Sequence, residues 1–361
     1  MSSPSESAAP AHEADHWLAR LLALLVAVSG PSLLGLATSA VGEGSLVGAL
    51  VLWGEPLLLL LGVHLVLALL WDHRWGLAAA TLVGFGLGGL ALRRPAVPEP
   101  VHDLEPDWAA RMQACARHPV ERRAPLRILS WTLDPAAPLP ELGEVSRQNA
   151  DLYVLHGLAQ PALAEGLAAQ LKGEALFLPA GAADHGLALV VRGAFQHCGG
   201  AEDSWSQALG PPGAGGRAVL TFPEVKGVGV VPLVAARLAR PGGELGVVGW
   251  PAEVQTGARS LAALARALGA GRVVVAGDFG VPRTFRRAAG ALLGAGLREA
   301  DAPPTWPHRL GSLPGLPLHA LERLWVGDEW DVPQVQAVEL GDQARRPLVA
   351  ELVPRVGRVE R

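Results

Sequence analysis

Three long apolar stretches open the chain, and only short ones follow them. Residues 21–41, 46–71 and Trp75–Leu92 are almost free of charge. A hydrocarbon core of roughly 30 Å takes about 20 helical residues, so each stretch is expected to be a transmembrane span. The turns Gly42-Glu43-Gly44 and Asp72-His73-Arg74 then predict three antiparallel helices, with Trp71 and Trp75 at the interface, where indoles are favoured. Glu55, beside the helix-breaking Pro56, is read as a packing contact between spans. Two further spans after the first argue against a cleaved signal peptide. The flanking cations nearly balance, Arg20 and Arg74 on one side against Arg93, Arg94 and Arg111 on the other, so charge alone does not orient the bundle.

Residues 95–125 are rich in proline and read as an extended stalk. Beyond them the period changes. Apolar runs of three to eight residues, bounded by Gly and Pro, recur at 126–131, 152–155, 187–191, 218–222, 231–238, 245–250, 273–276, 324–326 and 348–352, and each is expected to be a strand. Helical spacing intervenes at 141–148, 161–171, 258–268 and 284–297. The expected organisation is a transmembrane region over 1–94, a linker over 95–125, a mixed α/β domain over 126–354 and a tail over 355–361.

Charge and composition narrow what such a domain does. Of 30 basic residues only four, all Arg, precede position 101, so the remainder sets 26 basic against 27 acidic groups. A near-neutral surface excludes duplex nucleic acid as a generic partner, because nonspecific affinity for it comes from excess cationic charge. Two cysteines, Cys115 and Cys198, exclude a disulfide scaffold and a Cys-rich zinc site, and leave room for one bond in an oxidising compartment.

Several segments in order resemble the endonuclease/exonuclease/phosphatase superfamily. Residues 126–133, LRILSWTL, look like its opening strand, and residues 149–157, NADLYVLHG, like its second. Residues 273–280, VVVAGDFG, are similar to its GDFN turn, and Thr305-Trp306-Pro307 to the TWP that follows it. Residues 316–326 resemble the late strand written around Ile-Asp-His, and residues 346–352 the last strand. The resemblance implies two packed mixed sheets flanked by helices. Three spans before such a domain are similar to membrane-anchored VanJ-like proteins of the bacterial cell membrane, which implies a domain facing outward over lipid-linked substrates.

Active members of that superfamily hydrolyse phosphoesters with carboxylates that hold Mg²⁺ and a His–Asp pair that manages charge and protons. Position by position, the resemblance implies a degraded site. Thr132 stands where Asn is expected, Gly157 where the principal metal carboxylate is expected, and Trp250 near an expected His. Asp278 keeps the Asp of the turn, but Gly280 replaces its Asn, and Glu322 replaces the late-strand Asp. Gln343, Ala344 and Arg345 occupy the closing Ser-Asp-His, so the imidazole is exchanged for a guanidinium. Loss of single members of such units typically lowers rates by powers of ten. The expectation is a pseudoenzyme with remnants at Asp278 and Glu322 and no resident cofactor. The alternative is a weak Mg²⁺-dependent hydrolase acting on a membrane-borne phosphoester or pyrophosphate. His156, His185 and His319 with the two remnants are the groups available to a different Zn²⁺ or Mn²⁺ site. Arg345, Arg346 and Arg323 are expected to line the old cleft with positive charge suited to a phosphate-bearing ligand. The acidic run at 328–331 reads as a solvated turn.

Overall fold

The computed structural model describes residues 62–67, 69, 75–92, 124–135, 137–179, 186–196, 205–209, 216–238, 246–283, 285–307, 309–310, 313–314, 317 and 319–355. They divide into two units, one reaching to Pro95 and one carrying everything after it.

In the first unit α1 spans Trp75–Leu92, where the third apolar stretch predicts a helix. Its small residues Ala78 and Thr81 are buried, whereas Leu82 and Val83 are exposed. A Cβ on Gly62 would sit 2.7 Å from the Phe85 ring, so the preceding helical segment packs on α1 only because Gly62 has no side chain. Among the described residues no helix is long and apolar enough to cross a membrane. The first expected span and most of the second lie outside the described residues, as do most of the linker, Cys115, Cys198 and His185.

The second unit is built on two six-stranded mixed sheets. The first contains β1 (Leu126–Thr132), β2 (Leu152–Leu158), β3 (Glu174–Leu178) and β4 (Gly186–Val191). The second contains β5 (Trp205–Leu209), β6 (Gly216–Thr221), β7 (Leu233–Arg237), β8 (Val274–Asp278), β9 (Arg298–Glu299) and β10 (Glu322–Val326). The chain then returns to the first sheet with β11 (Trp330–Ala337) and β12 (Leu348–Pro354). The strand orders are β11-β12-β1-β2-β4-β3 and β9-β10-β8-β7-β6-β5. Each sheet has one parallel pair, β1 with β2 and β7 with β8. A parallel pair needs a crossover, and these are made by α2 (Leu142–Ser146) in the first sheet and α4 (Gly246–Ala267) in the second.

Period-two alternation sends one face of each sheet into a shared core. Leu126, Ile128, Leu152, Val154, Leu189 and Ala350 from the first sheet meet Val219, Leu233, Ala235, Val274, Ala276, Leu324 and Val326 from the second. The other face of the first sheet presents Leu129, Trp131, Tyr153 and Leu155 to Val145 of α2 and to Leu163, Ala164 and Leu167 of α3 (Ala162–Leu171). Helix α4 and α5 (Arg286–Gly294) likewise bury Leu261, Leu264, Ala288 and Leu292. Strands so covered on both faces read as continuous apolar runs, which is why the sequence shows runs rather than alternation.

Eight of the nine expected strands are observed; the run at 245–250 is helical. It forms the start of α4, because a short apolar run bounded by Gly and Pro has no period that separates strand from buried helix. Strands β3, β5, β9 and β11 are not among the expected ones; β3 does carry an apolar run, Ala175 to Leu178 between Gly173 and Pro179, whereas β5, β9 and β11 carry none. Of the run 328–331, Asp328 and Glu329 form the expected turn, but Trp330 opens β11, is buried, and donates its indole N–H to the Arg272 carbonyl at 2.8 Å.

Candidate functional site

At one end of the sandwich the inward-facing rows change character. Two residues beyond Ile128 the row reaches Ser130 and then Thr132; beyond Val154 it reaches His156; beyond Ala235, Arg237; beyond Ala276, Asp278. Glu322 opens the row that continues with Leu324. Ser130, Thr132, His156, Arg237, Asp278 and Glu322 are all buried. The carboxyl ends of both parallel pairs thus deliver their last inward residues to one place. Register fixes the neighbours: Thr132 lies opposite His156, Arg237 opposite Asp278, and Asp278 opposite Glu322.

Two glycines shape this end. At Gly157, φ is +87° and a Cβ would lie 2.2 Å from the Leu133 carbonyl oxygen, so the β2 bulge admits no side chain there. At Gly277, φ is +143° and a Cβ would lie 2.7 Å from His156 Nε2 and 2.0 Å from the Ala236 oxygen. His156 therefore rests on the β8 backbone beside Asp278.

The two carboxylates converge on Arg345. Its Nη1 stands 2.8 Å from Asp278 Oδ1 and 3.7 Å from Glu322 Oε1. Asp278 Oδ1 also accepts the Gly280 N–H at 2.9 Å, and Glu322 Oε2 accepts the Ser130 hydroxyl at 3.1 Å across the two sheets. Burial, and next the charge of Asp278, push the Glu322 carboxyl above its ordinary range, against the opposing pull of Arg345. The arginine is fixed from both sides. The Trp131 indole N–H donates to its carbonyl at 2.9 Å, and the next residue, Arg346, donates its N–H to the Thr305 carbonyl at 2.9 Å. The Thr305 hydroxyl in turn accepts the N–H groups of Leu321 and Glu322, which sets the start of β10. Gln343 straps the rim: its Oε1 accepts the Asp134 N–H at 2.8 Å and its Nε2 donates to the Pro138 carbonyl at 2.7 Å.

The structure brings Thr132, Asp278, Glu322 and Arg345 together and places Gly280 against Asp278. Gly157 lies at the bulge and presents nothing to the site. Ala344 is half-buried on the loop before Arg345. Trp250 is on α4, so it does not mark the expected His. The strand beside Asp278 is β7, and Arg237 is what it supplies there. That residue was legible in principle, as a lone cation four places after Leu233 and two after Ala235 in an apolar run. The expected cationic lining is also corrected. Arg323 is wholly buried on the other face of β10, donating to the Val281 carbonyl at 2.8 Å and stacked over Phe279 at 5.6 Å, while Arg346 pairs with Glu339 at 2.6 Å. His319 stacks on Trp306 at 6.2 Å. Among the described residues no three of His, Cys, Asp and Glu stand close enough to hold a metal ion.

A divalent ion does not fit this donor set. The backbone at Gly157, where the resemblance implies a metal carboxylate, admits no side chain, and the Arg345 cation already lies against Asp278 and faces Glu322.

No family model and no curated protein matches the sequence. Solved structures similar to the chain are proteins of the endonuclease/exonuclease/phosphatase family. One from Beutenbergia cavernae DSM 12333 is 19% identical, with 64% of this chain and 72% of that one covered and a TM-score of 0.49. One from Bacteroides vulgatus is 15% identical, covering 64% and 100%, with a TM-score of 0.49. A mannosyl-6-phosphatase from Bacteroides thetaiotaomicron VPI-5482 is 14% identical, covering 63% and 99%, with a TM-score of 0.48.

Proposed function

We propose that this chain is a membrane-anchored, non-catalytic relative of the endonuclease/exonuclease/phosphatase proteins, whose domain binds a phosphate-bearing ligand or a protein partner without cleaving it. The observation that carries the reading is the Arg345 guanidinium lying 2.8 Å from Asp278 and 3.7 Å from Glu322, between two buried carboxylates. Phosphoester hydrolysis on the pattern implied by the sequence needs a filled metal shell and a proton relay. Here one metal carboxylate is replaced by a glycine whose backbone excludes any side chain, and the imidazole of the relay by an arginine.

Membrane attachment rests on the apolar stretches 21–41, 46–71 and Trp75–Leu92, and is supported by the exposed Leu82 and Val83 on α1. On this reading the domain faces outside the cytoplasm of a bacterial cell, which the resemblance of the sequence to the VanJ-like arrangement supports.

The test is turnover. The purified full-length protein with Mg²⁺ or Mn²⁺ and a generic phosphodiester is expected to hydrolyse no more than a buffer blank. Turnover that disappears in Asp278→Ala overturns the reading in favour of a weak Mg²⁺-dependent hydrolase. Calorimetry with inorganic phosphate and a short phosphodiester then separates a phosphate-binding module from one that binds only protein.

A further inference from the structure

On the face of β10 turned away from Asp278 and Arg345, two buried donors lack acceptors. Arg323 and Trp325 stand two residues apart, so their side chains leave the same face of the strand, and both are fully buried. Phe279 lies against both, its ring centroid 5.6 Å from the guanidinium carbon and 6.4 Å from the Trp325 ring. The guanidinium directs Nη2 at the Val281 carbonyl and Nε at that of Ala320, but Nη1 meets no acceptor among the described residues, and neither does the Trp325 indole N–H. The Trp131 and Trp330 indoles, by contrast, each donate to a carbonyl, at 2.9 and 2.8 Å. Buried polar groups in folded proteins are nearly always hydrogen-bonded, and two orphaned donors side by side point to an acceptor that the chain itself does not supply.

Charge says what kind of acceptor fits. Glu299 Oε1 stands 3.6 Å from Arg323 Nε and 3.2 Å from Arg283 Nε, so one carboxylate serves two guanidinium groups. Asp301, 2.5 Å from Arg283 Nη1, is exposed and its charge is screened by water. Burial disfavours the charged form of Arg323, Glu299 opposes that, and Arg283 adds to it. The buried patch is therefore short of negative charge. We infer that Arg323 Nη1 and the Trp325 indole N–H form an internal site for one small monovalent anion of the halide class, held against the edge of the Phe279 ring. A halide accepts from both donors and balances a guanidinium that cannot give up its proton, whereas a water would leave the charge unpaired. The inference goes beyond the functional reading above and does not depend on it, because the anion site lies on the opposite face of β10 from the carboxylate cluster.

Thermal unfolding of the full-length protein tests it, with sodium chloride as the probe and sodium gluconate at matched ionic strength as the control. At about ten times the dissociation constant, chloride is expected to raise the midpoint by roughly 3–6 °C over gluconate and then to saturate. Trp325→Phe keeps an aromatic ring and removes the N–H; whatever its midpoint in gluconate, it is expected to lose most of the chloride-dependent rise. Arg323→Met, where it folds, is expected to lose all of it. Bromide, located by its anomalous scattering in crystals of the native protein, is expected in contact with Arg323 Nη1 and Trp325 Nε1. A native protein that unfolds alike in chloride and gluconate overturns the inference, as does a rise that survives intact in Trp325→Phe. An ordered water between the two donors in bromide-containing crystals overturns it too.

Discussion

At the scale of single residues, the site is a set of polar groups made compatible with burial by partners from other elements. Trp131 has an outward-facing ring that packs with Leu155 and Val349 against the helices, yet its N–H leaves that face to hold the Arg345 carbonyl. Trp131→Phe keeps the ring and removes the donor. Leaving a buried acceptor unpaired costs about 1–3 kcal/mol, so denaturant unfolding is expected to show a loss of that size. Glu322 adds a pH dependence. Because burial and Asp278 raise its carboxyl above the ordinary value of 4.5, the fold favours its neutral form. Its contribution is complete below that ordinary value and declines as pH rises through the raised one. Glu322→Gln is neutral throughout and keeps an oxygen acceptor for Ser130, so it is expected to lose less stability than the native protein between pH 5 and 8. Parallel stability curves across that range contradict the shift.

Elements explain why the site cannot be restored by one reversion. The β2 bulge puts Gly157 at φ +87°, with the Leu133 carbonyl where a Cβ would be. Gly157→Glu is the change that the family resemblance suggests for regaining a metal ligand. It is expected instead to destabilise by more than about 2 kcal/mol through backbone strain, and Gly157→Ala by a similar amount, without gain of Mg²⁺ binding. Equilibrium unfolding of both variants checks this. Two elements show where reading along the chain reaches its limit. The apolar run at 245–250 fits strand and helix equally, and only its continuity with the residues through Ala267 makes it α4. Strand β7 was legible as an apolar run, but its chemistry was assigned to the wrong segment, because a cation ending a buried strand looks like a boundary until its register against β8 is known.

For the whole second unit, stability comes from the faces where the two sheets meet, and the site is a by-product of that packing. Leu324 sits in this core at 1% exposure, on the strand that begins with Glu322. Leu324→Ala is expected to cost about 2–5 kcal/mol and to weaken the Asp278–Arg345 contact with it; a chemical denaturation midpoint and the accessibility of the cluster to hydrogen exchange report the two effects. Membrane association belongs to this scale too. The full chain is expected to sediment with membranes and to resist extraction by alkaline carbonate, and release by carbonate contradicts integral insertion.

The pattern along the chain determined the alternation of apolar runs and helical periods, hence a mixed α/β domain, and that pattern is local. The two packed sheets, and the choice of Asp278, Glu322 and Arg345, were implied by the resemblance to a known family and not by periodicity. Tertiary structure decided what the three residues do to one another. Asp278 and Glu322 are neighbours only through the β8–β10 register, Arg345 reaches them only because Trp131 and Thr305 hold its loop, and Arg237 joins them only because β7 runs parallel to β8. Each of those relations joins residues tens to hundreds of positions apart, and such pairings are fixed by how whole faces pack, which a single chain pattern does not encode.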